Sequence, residues 1–507
     1  MPRRTTPIKK PKITLDQNAP APLYRQLYER LRAEILAGQL ETGTRLPSTR
    51  ALANELGISR NTTALAYEQL LLEGYIKSRV GDGTRVALLQ AEHPRQVSGS
   101  PRGQQSSRGT VVQEMPLSLR GQMLLTAPFP GDLHTPLVEA GPFRVGQPDM
   151  EHFPYEIWAR LVARHARHSL QKSSRYQNAA GYYPLREAIA AHIGITRGVY
   201  CSPEQIMITS GSQGALDLIA RTLLDPGERA WVEDPGYQGA RGALLAAGAE
   251  LVPVPVDREG IEVETGQKLC QEARVALVTP SHQFPTGVTM SLNRRLALLE
   301  WAREARAWIV EDDYDSEYRF SGRPLEALQG LDSARRVLYI GTFSKVLFPA
   351  LRLGYLVAPP ELLPGLTAAR HFIDVHPPIL EQMALADFMS EGYFTRHLRR
   401  MRQLYLERRD ALIDALKREL KDILDVTIPE AGIHLAAWLP SGISGQEAAR
   451  LVATHDLPVQ AISSAGSSSR AGLLLGYACA SPAELRAGVS TLAQALKPLF
   501  PTPPQKV

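Results

Sequence analysis

Residues 339–359 read YIGTFSKVLFPALRLGYLVAP, two short apolar runs with a serine, a lysine and an arginine between them. Short apolar runs bounded by glycine and polar residues are typical of buried strands. Ser344 and Lys345 follow the first run, and Arg352 precedes the second. Because ligands bind at the carboxyl ends of strands in open α/β sheets, this stretch predicts a strand end where a lysine amine and a guanidinium face a bound molecule.

The same alternation of apolar runs and helical periods extends over residues 136–507. QIMITSG (205–211) precedes SQGALDLIARTLL (212–224), and ARVALVTPS (273–281) precedes RRLALLEWAREA (294–305). Strands that alternate with helices of this length favour a mostly parallel α/β sheet covered on both faces. We therefore expect residues 136–507 to form one large body.

Three further groups of candidate site residues lie at predicted strand ends. They are the turn formed by Gly211, Ser212, Gln213 and Gly214; Tyr237, which follows a Pro-Gly pair; and the run Asp312, Asp313 and Tyr314. Small residues and hydroxyls at a helix start bind phosphate, and an aromatic ring can stack on a flat ligand. A carboxylate can pair with a pyridinium nitrogen, Lys345 can form a Schiff base, and Arg352 can bind phosphate bidentately.

Together these groups match what pyridoxal 5'-phosphate requires of a protein. Each has an ordinary explanation when it is taken alone. A Ser-Lys pair is usually on the surface, an aspartate after a strand often caps a helix, and Tyr237 could be a core residue. All five groups, from the Gly211 turn through Tyr237, the Asp312 run and Lys345 to Arg352, follow one another along the chain. This order makes coincidence the weaker explanation.

Residues 13–87 have a different pattern. A spacing of four among Leu23, Leu27, Leu31 and Ile35 predicts an amphipathic helix over 23–36. Two more helices follow, with Ser48 and Ser59 as N-caps. Their expected core positions are Leu52, Ala53, Leu56, Leu65, Tyr67, Leu70 and Leu71. The run YIKSRVGDGTRVA (75–87) then predicts a hairpin. A helix-turn-helix followed by a hairpin is a winged helix, and a small helical dimerisation or linker domain is the alternative.

Charge and polar residues indicate what this head binds. Residues 1–85 hold 14 Lys+Arg against 8 Asp+Glu, whereas residues 86–507 hold 43 against 44. A basic head on a near-neutral body is typical of a polyanion-binding module, although a solvated basic tail would give part of the same excess. The start of a recognition helix meets base edges, and flanking residues hold phosphates. The predicted DNA contacts are Arg45, Ser48, Arg50, Ser59, Arg60, Asn61, Thr62, Gly81 and Gly83.

Composition excludes several other classes. Residues 88–135 are rich in Gly, Ser, Gln, Pro and Arg and predict a flexible linker with a short helical piece at 117–125. No apolar stretch approaches the ~18 residues needed to cross a bilayer, and no apolar run follows the basic N-terminus as in a secretory signal. Three dispersed cysteines argue against disulfides and against a zinc site. We expect a cytoplasmic protein with no metal and no membrane partner.

The head resembles the GntR-type winged-helix family. The resemblance rests on LPSTRALANELGISRNTTALAYEQLLLEGYI (46–76) followed by GDGT (81–84). Thr63 stands where that family usually has valine, which could alter the packing of the recognition helix. The resemblance implies that the partner is a double-stranded DNA operator.

The body is similar to fold-type-I aminotransferases, an α/β fold with a smaller C-terminal α/β subdomain. Supporting segments are GPFRVGQPDMEHFP (141–154), SRYQNAAGYYPLREAIAAH (174–192), PSHQFPTG (280–287) and LLLGYA (473–478). A GntR head joined to such a body resembles the MocR subfamily of bacterial regulators.

The resemblance implies a role for several residues. Lys345 would hold pyridoxal phosphate as a Schiff base, Asp312 would pair with the ring nitrogen, and Tyr314 with the ring oxygen. Asp313 is the other candidate for the nitrogen, because the sequence cannot separate adjacent carboxylates. Tyr176 matches a tyrosine that reaches the phosphate from the neighbouring subunit, which implies a homodimer whose heads cross onto the partner's body.

Two departures from the aminotransferase pattern matter. Phe284 replaces the usual asparagine before Pro-Thr-Gly, so that contacts to the ring oxygen would shift to Tyr314 or His282. Leu474 stands where an arginine would bind the α-carboxylate of a substrate, and Arg470 could replace it only through a different backbone path.

These observations leave three hypotheses. The first is a transcriptional regulator whose body binds pyridoxal phosphate as effector or cofactor, with control of vitamin B6 or of amino-acid and amine metabolism implied by the resemblance. The second is a working aminotransferase with a DNA-binding head, which Leu474 disfavours. The third is a regulator that no longer holds the cofactor, which the intact set of site residues disfavours.

Overall fold

The computed structural model describes residues 13–17, 19–79, 83–88, 117–126, 141–168, 174–322, 325–462 and 470–500. The chain divides into two compact units, Met1–Gln113 and Glu114–Val507. Within the described ranges, no helix is long and apolar enough to cross a membrane.

The first unit is a winged helix. Helices α1 (Leu23–Leu36), α2 (Thr49–Leu56) and α3 (Arg60–Leu72) precede an antiparallel hairpin of β1 (Ile76–Arg79) and β2 (Gly83–Val86). Ser48 Oγ accepts a hydrogen bond from the Ala51 amide at 3.2 Å, and Ser59 Oγ accepts one from the Thr62 amide at 3.0 Å. Both serines therefore cap their helices as predicted.

The buried residues of the head differ in part from those predicted. Leu27, Leu31, Leu52, Tyr67 and Leu70 are buried together. Leu65 is 51% exposed and Leu71 is 38% exposed, so the prediction that both join the core is wrong. The buried face of α3 is instead formed by Thr63, Ala66, Tyr67 and Leu70, spaced by three or four residues.

The second unit begins with a short helix, Leu119–Thr126, which lies within the segment predicted as a linker. The body that follows contains an eight-stranded sheet. Its strands are β3 (Ile206–Thr209), β4 (Arg229–Asp234), β5 (Glu250–Asp257), β6 (Gly260–Ile261), β7 (Val275–Val278), β8 (Trp308–Asp313), β9 (Val337–Thr342) and β10 (Gly354–Val357). Their spatial order is β3-β10-β9-β8-β7-β4-β5-β6.

The sheet is mixed rather than uniformly parallel. Strand β10 runs antiparallel to both β3 and β9, and β6 runs antiparallel to β5, whereas the five central strands are parallel. Alternate residues of β8 enter separate cores, Val310 on one face and Ile309 on the other. Burial on both faces explains why β8 reads as a continuous apolar run.

Helices cover this sheet and build the smaller C-terminal subdomain. They are Tyr155–His168, Tyr183–Arg197, Gly211–Leu223, Gln238–Ala247, Val263–Leu269, Leu292–Glu304, Leu328–Leu331, Leu363–Asp374, Leu380–Ser390, Tyr393–Glu419, Gly445–Ala453 and Pro482–Leu496. The subdomain sheet consists of β11 (Asp425–Val426), β12 (His434–Trp438), β13 (Gln460–Ile462) and β14 (Gly472–Gly476). These strands are antiparallel and lie in the spatial order β11-β12-β14-β13.

Candidate functional site

The site residues predicted for the body converge at one edge of the large sheet. Strands β4, β7, β8 and β9 are parallel, and β3 points the same way because β10 pairs antiparallel with β3 and with β9. Asp312 of β8 pairs in register with Ile340 of β9. The turn at Gly211, the loop at Tyr237, the end of β8 and Lys345 therefore share the carboxyl edge, as the sequence predicted.

Lys345 is half-buried and its amine is held by the backbone of Gly146. Its Nζ donates a hydrogen bond to the carbonyl oxygen of Gly146 at 2.7 Å. Gly146 has a φ of +73°, and a Cβ added there would lie 2.9 Å from the same Nζ, so a side chain at that position would displace the amine. Burial lowers the pKa of Lys345, opposed by the negative charges of Asp315 and Asp312. A lowered pKa leaves more of the amine neutral, the form that attacks a carbonyl.

The two adjacent aspartates have different surroundings. Asp313 Oδ2 forms an ion pair with Arg197 Nε at 2.7 Å and accepts a hydrogen bond from the Tyr339 hydroxyl at 2.7 Å. Asp312 is equally buried, yet its Oδ1 has no hydrogen-bond partner among the described residues. Burial, and then the adjacent Asp313, raise the pKa of Asp312 to about 7, while Lys345 acts in the opposite direction.

A cradle of small residues and one guanidinium lies at the start of helix Gly211–Leu223. Arg352 Nη2 donates to the carbonyl of Ser210 at 3.0 Å, and a Cβ on Gly211 would lie 3.1 Å from the same nitrogen. Ser344 Oγ is buried and without a partner within the described ranges. Backbone amides at a helix start, a guanidinium and a free hydroxyl form an arrangement that suits a phosphate group.

Ser212 and Gln213 lie in the first turn of that helix. The side-chain amide of Gln213 donates to the carbonyl of Gly239 at 2.9 Å, so this residue ties the helix to the loop that carries Tyr237. A Cβ on Gly239 would lie 2.5 Å from the Tyr237 ring. Gln213 and Gly239 therefore help to fix the orientation of the tyrosine ring.

Aromatic rings from the edge of the large sheet pack with a histidine of the small subdomain. Phe284 lies 5.9 Å from Tyr237, 6.1 Å from Tyr314 and 5.5 Å from His434, measured between ring centroids. His434 is buried at the start of β12, and burial lowers its pKa well below its ordinary range. His434 is a site residue that the sequence analysis missed, since nothing in its local sequence separates it from other strand residues.

A second missed residue is Asp315. His282 Nδ1 lies 3.0 Å and 3.1 Å from the two carboxylate oxygens of Asp315, and 3.1 Å from the Tyr314 hydroxyl. His282 and Asp315 are buried and Tyr314 is half-buried, and burial raises the pKa of Tyr314. The repeated acids in EDDYD (311–315) are a visible signal, but the sequence analysis takes only Asp312 and Asp313 as candidates.

Tyr176 does not join this cluster within one chain. It is 86% exposed, and its ring lies 6.1 Å from the ring of His376. A role at the phosphate thus stays a prediction that requires a neighbouring subunit.

The position of Leu474 is apolar. Leu474 packs with Ala436 and Ile462, and with the partly buried side chains of Val145, Phe284 and Trp438. Arg470 lies elsewhere: its Nη1 forms an ion pair with Asp425 at 2.6 Å, and its Nε donates to the carbonyl of Leu439. Arg470 therefore does not replace an arginine at position 474 in this structure.

The predicted DNA-contacting residues of the head lie around α2, α3 and the hairpin. Arg50, Ser59, Arg60 and Asn61 are exposed, and Thr62 is half-buried beside the cap of α3. Ser48 caps α2. The guanidinium of Arg45 lies against Gly83, where a Cβ would be 3.0 Å from its Nε, and Gly83 has a φ of +79°. Gly81 lies outside the described residues.

Comparison with known proteins agrees with this geometry. Residues 142–492 match the family model of aminotransferase class I and II, and residues 23–86 match that of bacterial regulatory proteins of the gntR family. The probable rhizopine catabolism regulatory protein MocR of Rhizobium meliloti is 43% identical over 485 residues, which is 95% of each chain. The pyridoxine biosynthesis transcriptional regulator PdxR of Corynebacterium glutamicum is 33% identical over 80% of this chain and 81% of its own.

The body also matches solved enzymes. The crystal structure of LysN, an α-aminoadipate aminotransferase from Thermus thermophilus complexed with N-(5'-phosphopyridoxyl)-L-leucine, superposes with a TM-score of 0.66. It is 32% identical and covers 76% of this chain and 95% of that enzyme.

Proposed function

The chain belongs to the MocR-type DNA-binding transcriptional regulators, in which a GntR winged helix precedes an aminotransferase-like body, and from that membership we propose that its body binds pyridoxal 5'-phosphate as effector or cofactor. The proposal assigns Lys345 to the covalent link, Asp312 to the ring nitrogen and Tyr237 to stacking on the ring. Arg352, Ser344 and the backbone at Gly211 and Ser212 bind the phosphate.

The unpartnered Oδ1 of Asp312 is the observation that carries this proposal. A buried carboxylate oxygen without a hydrogen bond is costly, because it loses its hydration without compensation. A protonated pyridine nitrogen supplies both a donor and a positive charge. Asp313 suits this role less well, because Arg197 and Tyr339 already bind its Oδ2.

The hydroxyl of Ser344 supports the same ligand independently. It is buried, it lacks a partner in the described part of the chain, and it belongs to the loop that carries Lys345. A phosphate oxygen would accept its hydrogen. Two orphaned polar atoms, one suited to each end of the cofactor, fit pyridoxal phosphate better than a ligand with only one of these groups. When bound, the cofactor supplies an aldehyde that reacts with amines.

Visible absorbance of the purified protein incubated with pyridoxal phosphate tests the proposal. We expect a band that borohydride reduction fixes to the chain and that Lys345→Ala abolishes. Asp312→Asn should weaken cofactor binding while the fold, followed by circular dichroism, is kept. Lys417→Ala, in the last turn of helix Tyr393–Glu419, is the matched control for a lost lysine. Wild-type protein that shows no such band after incubation would refute the proposal.

We propose further that any amine that reacts with the bound cofactor in this protein lacks an α-carboxylate. An isobutyl side chain cannot pair with a carboxylate and would strip its water at a cost. Leu474 packs into an apolar cluster and Arg470 is bound to Asp425, so Arg470 does not take the position of the arginine that would bind this carboxylate. The effector is then the cofactor itself or an amine without that group, and control of vitamin B6 or amine metabolism is the expected role.

A working aminotransferase is the second candidate function, and the intact Lys345 and Asp312 favour it. Transamination needs the substrate held so that its α-C–H bond is aligned with the cofactor ring, and a fixed arginine normally provides this alignment. We expect little or no turnover of common amino acids. Sustained release of keto acid from any amino acid in a panel would establish the enzyme instead.

The head acts on double-stranded operator DNA, and we propose that its contacts are those predicted around α2, α3 and the hairpin. A homodimer is proposed because Tyr176 is exposed in a single chain, which suits contact with a neighbouring subunit. We propose a cytoplasmic location because an operator-binding protein must reach the chromosome. Analytical ultracentrifugation tests the dimer, and sedimentation as a single chain would contradict it.

A further inference from the structure

A buried histidine–aspartate pair stands behind Tyr314. His282 Nδ1 lies within 3.1 Å of both oxygens of Asp315 and of the Tyr314 hydroxyl, so one nitrogen faces three oxygen atoms. Asp315 and Asp312 are also the negative charges that act most strongly on Lys345. The pair is thus adjacent to the site that we assign to the cofactor, although neither residue of the pair faces solvent.

The chemistry of the three groups fixes where their hydrogens lie. An ionised carboxylate only accepts hydrogen bonds, so that Nδ1 must carry a hydrogen if it bonds to Asp315. A protonated Nδ1 has no lone pair to accept from Tyr314. The phenolic hydrogen must then point away from His282, and the raised pKa of Tyr314 keeps that hydrogen in place.

The surroundings lock this arrangement. Gly432 has a φ of +93°, and a Cβ there would overlap the His282 ring and lie 2.7 Å from Asp315 Oδ2. His282 Nε2 is buried and has no partner among the residues described. A hydrogen on Nε2 would be an orphaned donor, which favours the neutral ring with its hydrogen on Nδ1. His434, whose ring lies 4.9 Å away, is kept neutral by burial.

We propose that His282 and Asp315 are positioning residues that aim the Tyr314 hydroxyl hydrogen toward the site assigned to the cofactor, where it bonds to the ring oxygen of the bound cofactor. This rests on the proposed cofactor binding. The pair compensates for Phe284, which stands where aminotransferases carry an asparagine. His282 then acts through Tyr314 and does not contact the ring oxygen itself.

The pKa of the bound chromophore reports this hydrogen bond, and visible absorbance measured against pH gives it. A donor to the ring oxygen stabilises negative charge there, so its loss makes the linkage to Lys345 hold its proton more tightly. In Asp315→Asn the amide can donate to Nδ1, which then carries no hydrogen of its own. Loss of the hydrogen bond raises the chromophore pKa, whereas loss of the Asp315 charge lowers it. We therefore expect Asp315→Asn to shift this pKa upward by about one unit relative to the shift that it causes in Tyr314→Phe, a difference equivalent to about 1.4 kcal/mol.

Companion variants separate positioning from a merely structural effect. Tyr314→Phe should raise the chromophore pKa by about one unit, and adding Asp315→Asn to it should then only lower this pKa, because a charge is lost and no hydrogen bond is left to lose. His282→Asn should retain much of the wild-type pKa, because its amide can replace Nδ1–H, whereas His282→Leu should not. Glu311→Gln is the matched control. This buried acid accepts hydrogen bonds from the amides of Leu328 and Gln329, and it is part of neither the His282–Asp315 pair nor the proposed cofactor site.

The outcomes are distinguishable from a failure of the proposed function. If wild-type protein has no visible band, cofactor binding fails and takes this inference with it. If the band is present but Asp315→Asn shifts its pKa by the same amount in wild type and in Tyr314→Phe, the positioning role is overturned. Ligand atoms of His282, Asp315 and His434 lie within 4.8 Å of one another. Stoichiometric transition metal in purified protein, lost in His434→Ala, would also overturn the inference.

Discussion

At the scale of single residues, the adjacent carboxylates of β8 show how environment separates identical side chains. Asp313 is neutralised by Arg197, whereas Asp312 is buried and its Oδ1 has no hydrogen-bond partner in the described part of the chain. The alternation of a strand sends them to opposite faces. Asp313 is thereby part of the structural framework, whereas Asp312 keeps an oxygen atom, Oδ1, that a ligand can bind.

The raised pKa of Asp312 predicts a pH dependence of stability in the cofactor-free protein. Its folded-state pKa is about 7 against an ordinary 3.8, so the folded state binds the extra proton and stability falls as pH rises through that interval. Asp312→Asn removes the ionisation. In urea unfolding, we expect the variant to match wild type near pH 4 and to exceed it by on the order of 2–4 kcal/mol at pH 8.

Asp313→Asn serves as the comparison. It leaves the buried Arg197 uncompensated and should destabilise the protein by about 3–5 kcal/mol whenever the wild-type carboxylate is ionised. Parallel stability curves for wild type and Asp312→Asn would show that Asp312 is already ionised in the empty site.

A second prediction at this scale concerns the head. Arg60 is exposed at the first position of α3, where a recognition helix meets base edges. Arg60→Ala should weaken operator binding by about 1–3 kcal/mol if the guanidinium reads a guanine. Gel-shift titration measures this, with Arg30→Ala, an exposed arginine of α1, as the control for net charge. Unchanged operator affinity would mean that this position is not a base reader.

At the scale of elements, capping decides whether the recognition helix begins where the contacts need it. Ser59 accepts from the Thr62 amide and lies 2.8 Å from the Thr62 hydroxyl. Ser59→Ala should destabilise the head by about 1 kcal/mol and fray the turn that holds Arg60 and Asn61.

Thermal melting of the unit Met1–Gln113 and operator titration should therefore both respond to Ser59→Ala. Ser48→Ala removes the equivalent cap from α2 and should cost similar stability with a smaller effect on base recognition. Equal loss of sequence preference in both variants would argue that α3 has no special role.

At the scale of the whole molecule, a regulator requires coupling between its two units. A ligand alters DNA affinity only if it binds the DNA-competent and incompetent arrangements with different affinities. We expect pyridoxal phosphate to change operator affinity in the intact chain and to leave residues 1–87 alone unaffected. Fluorescence anisotropy on labelled operator measures both, and identical affinities for the empty and loaded intact chains would contradict a sensing role.

The local sequence determined most of the architecture. Helix periods, serine caps and the Gly-Asp-Gly turn predicted the winged helix, because capping and amphipathicity are short-range properties. Apolar runs followed by Gly211, Asp312 or Lys345 likewise predicted which residues gather at one sheet edge, since parallel strands bring their carboxyl ends together.

Only the tertiary structure decided between residues of the same type. Arg197 comes from a helix far along the chain and selects Asp313, so the sequence of β8 alone left Asp312 and Asp313 equivalent. Asp315 and His434 joined the site through contacts across the large sheet and the small subdomain. Leu65 and Leu71 proved exposed because burial depends on which face of α3 meets its neighbours. These outcomes depend on long-range packing, which no local pattern encodes.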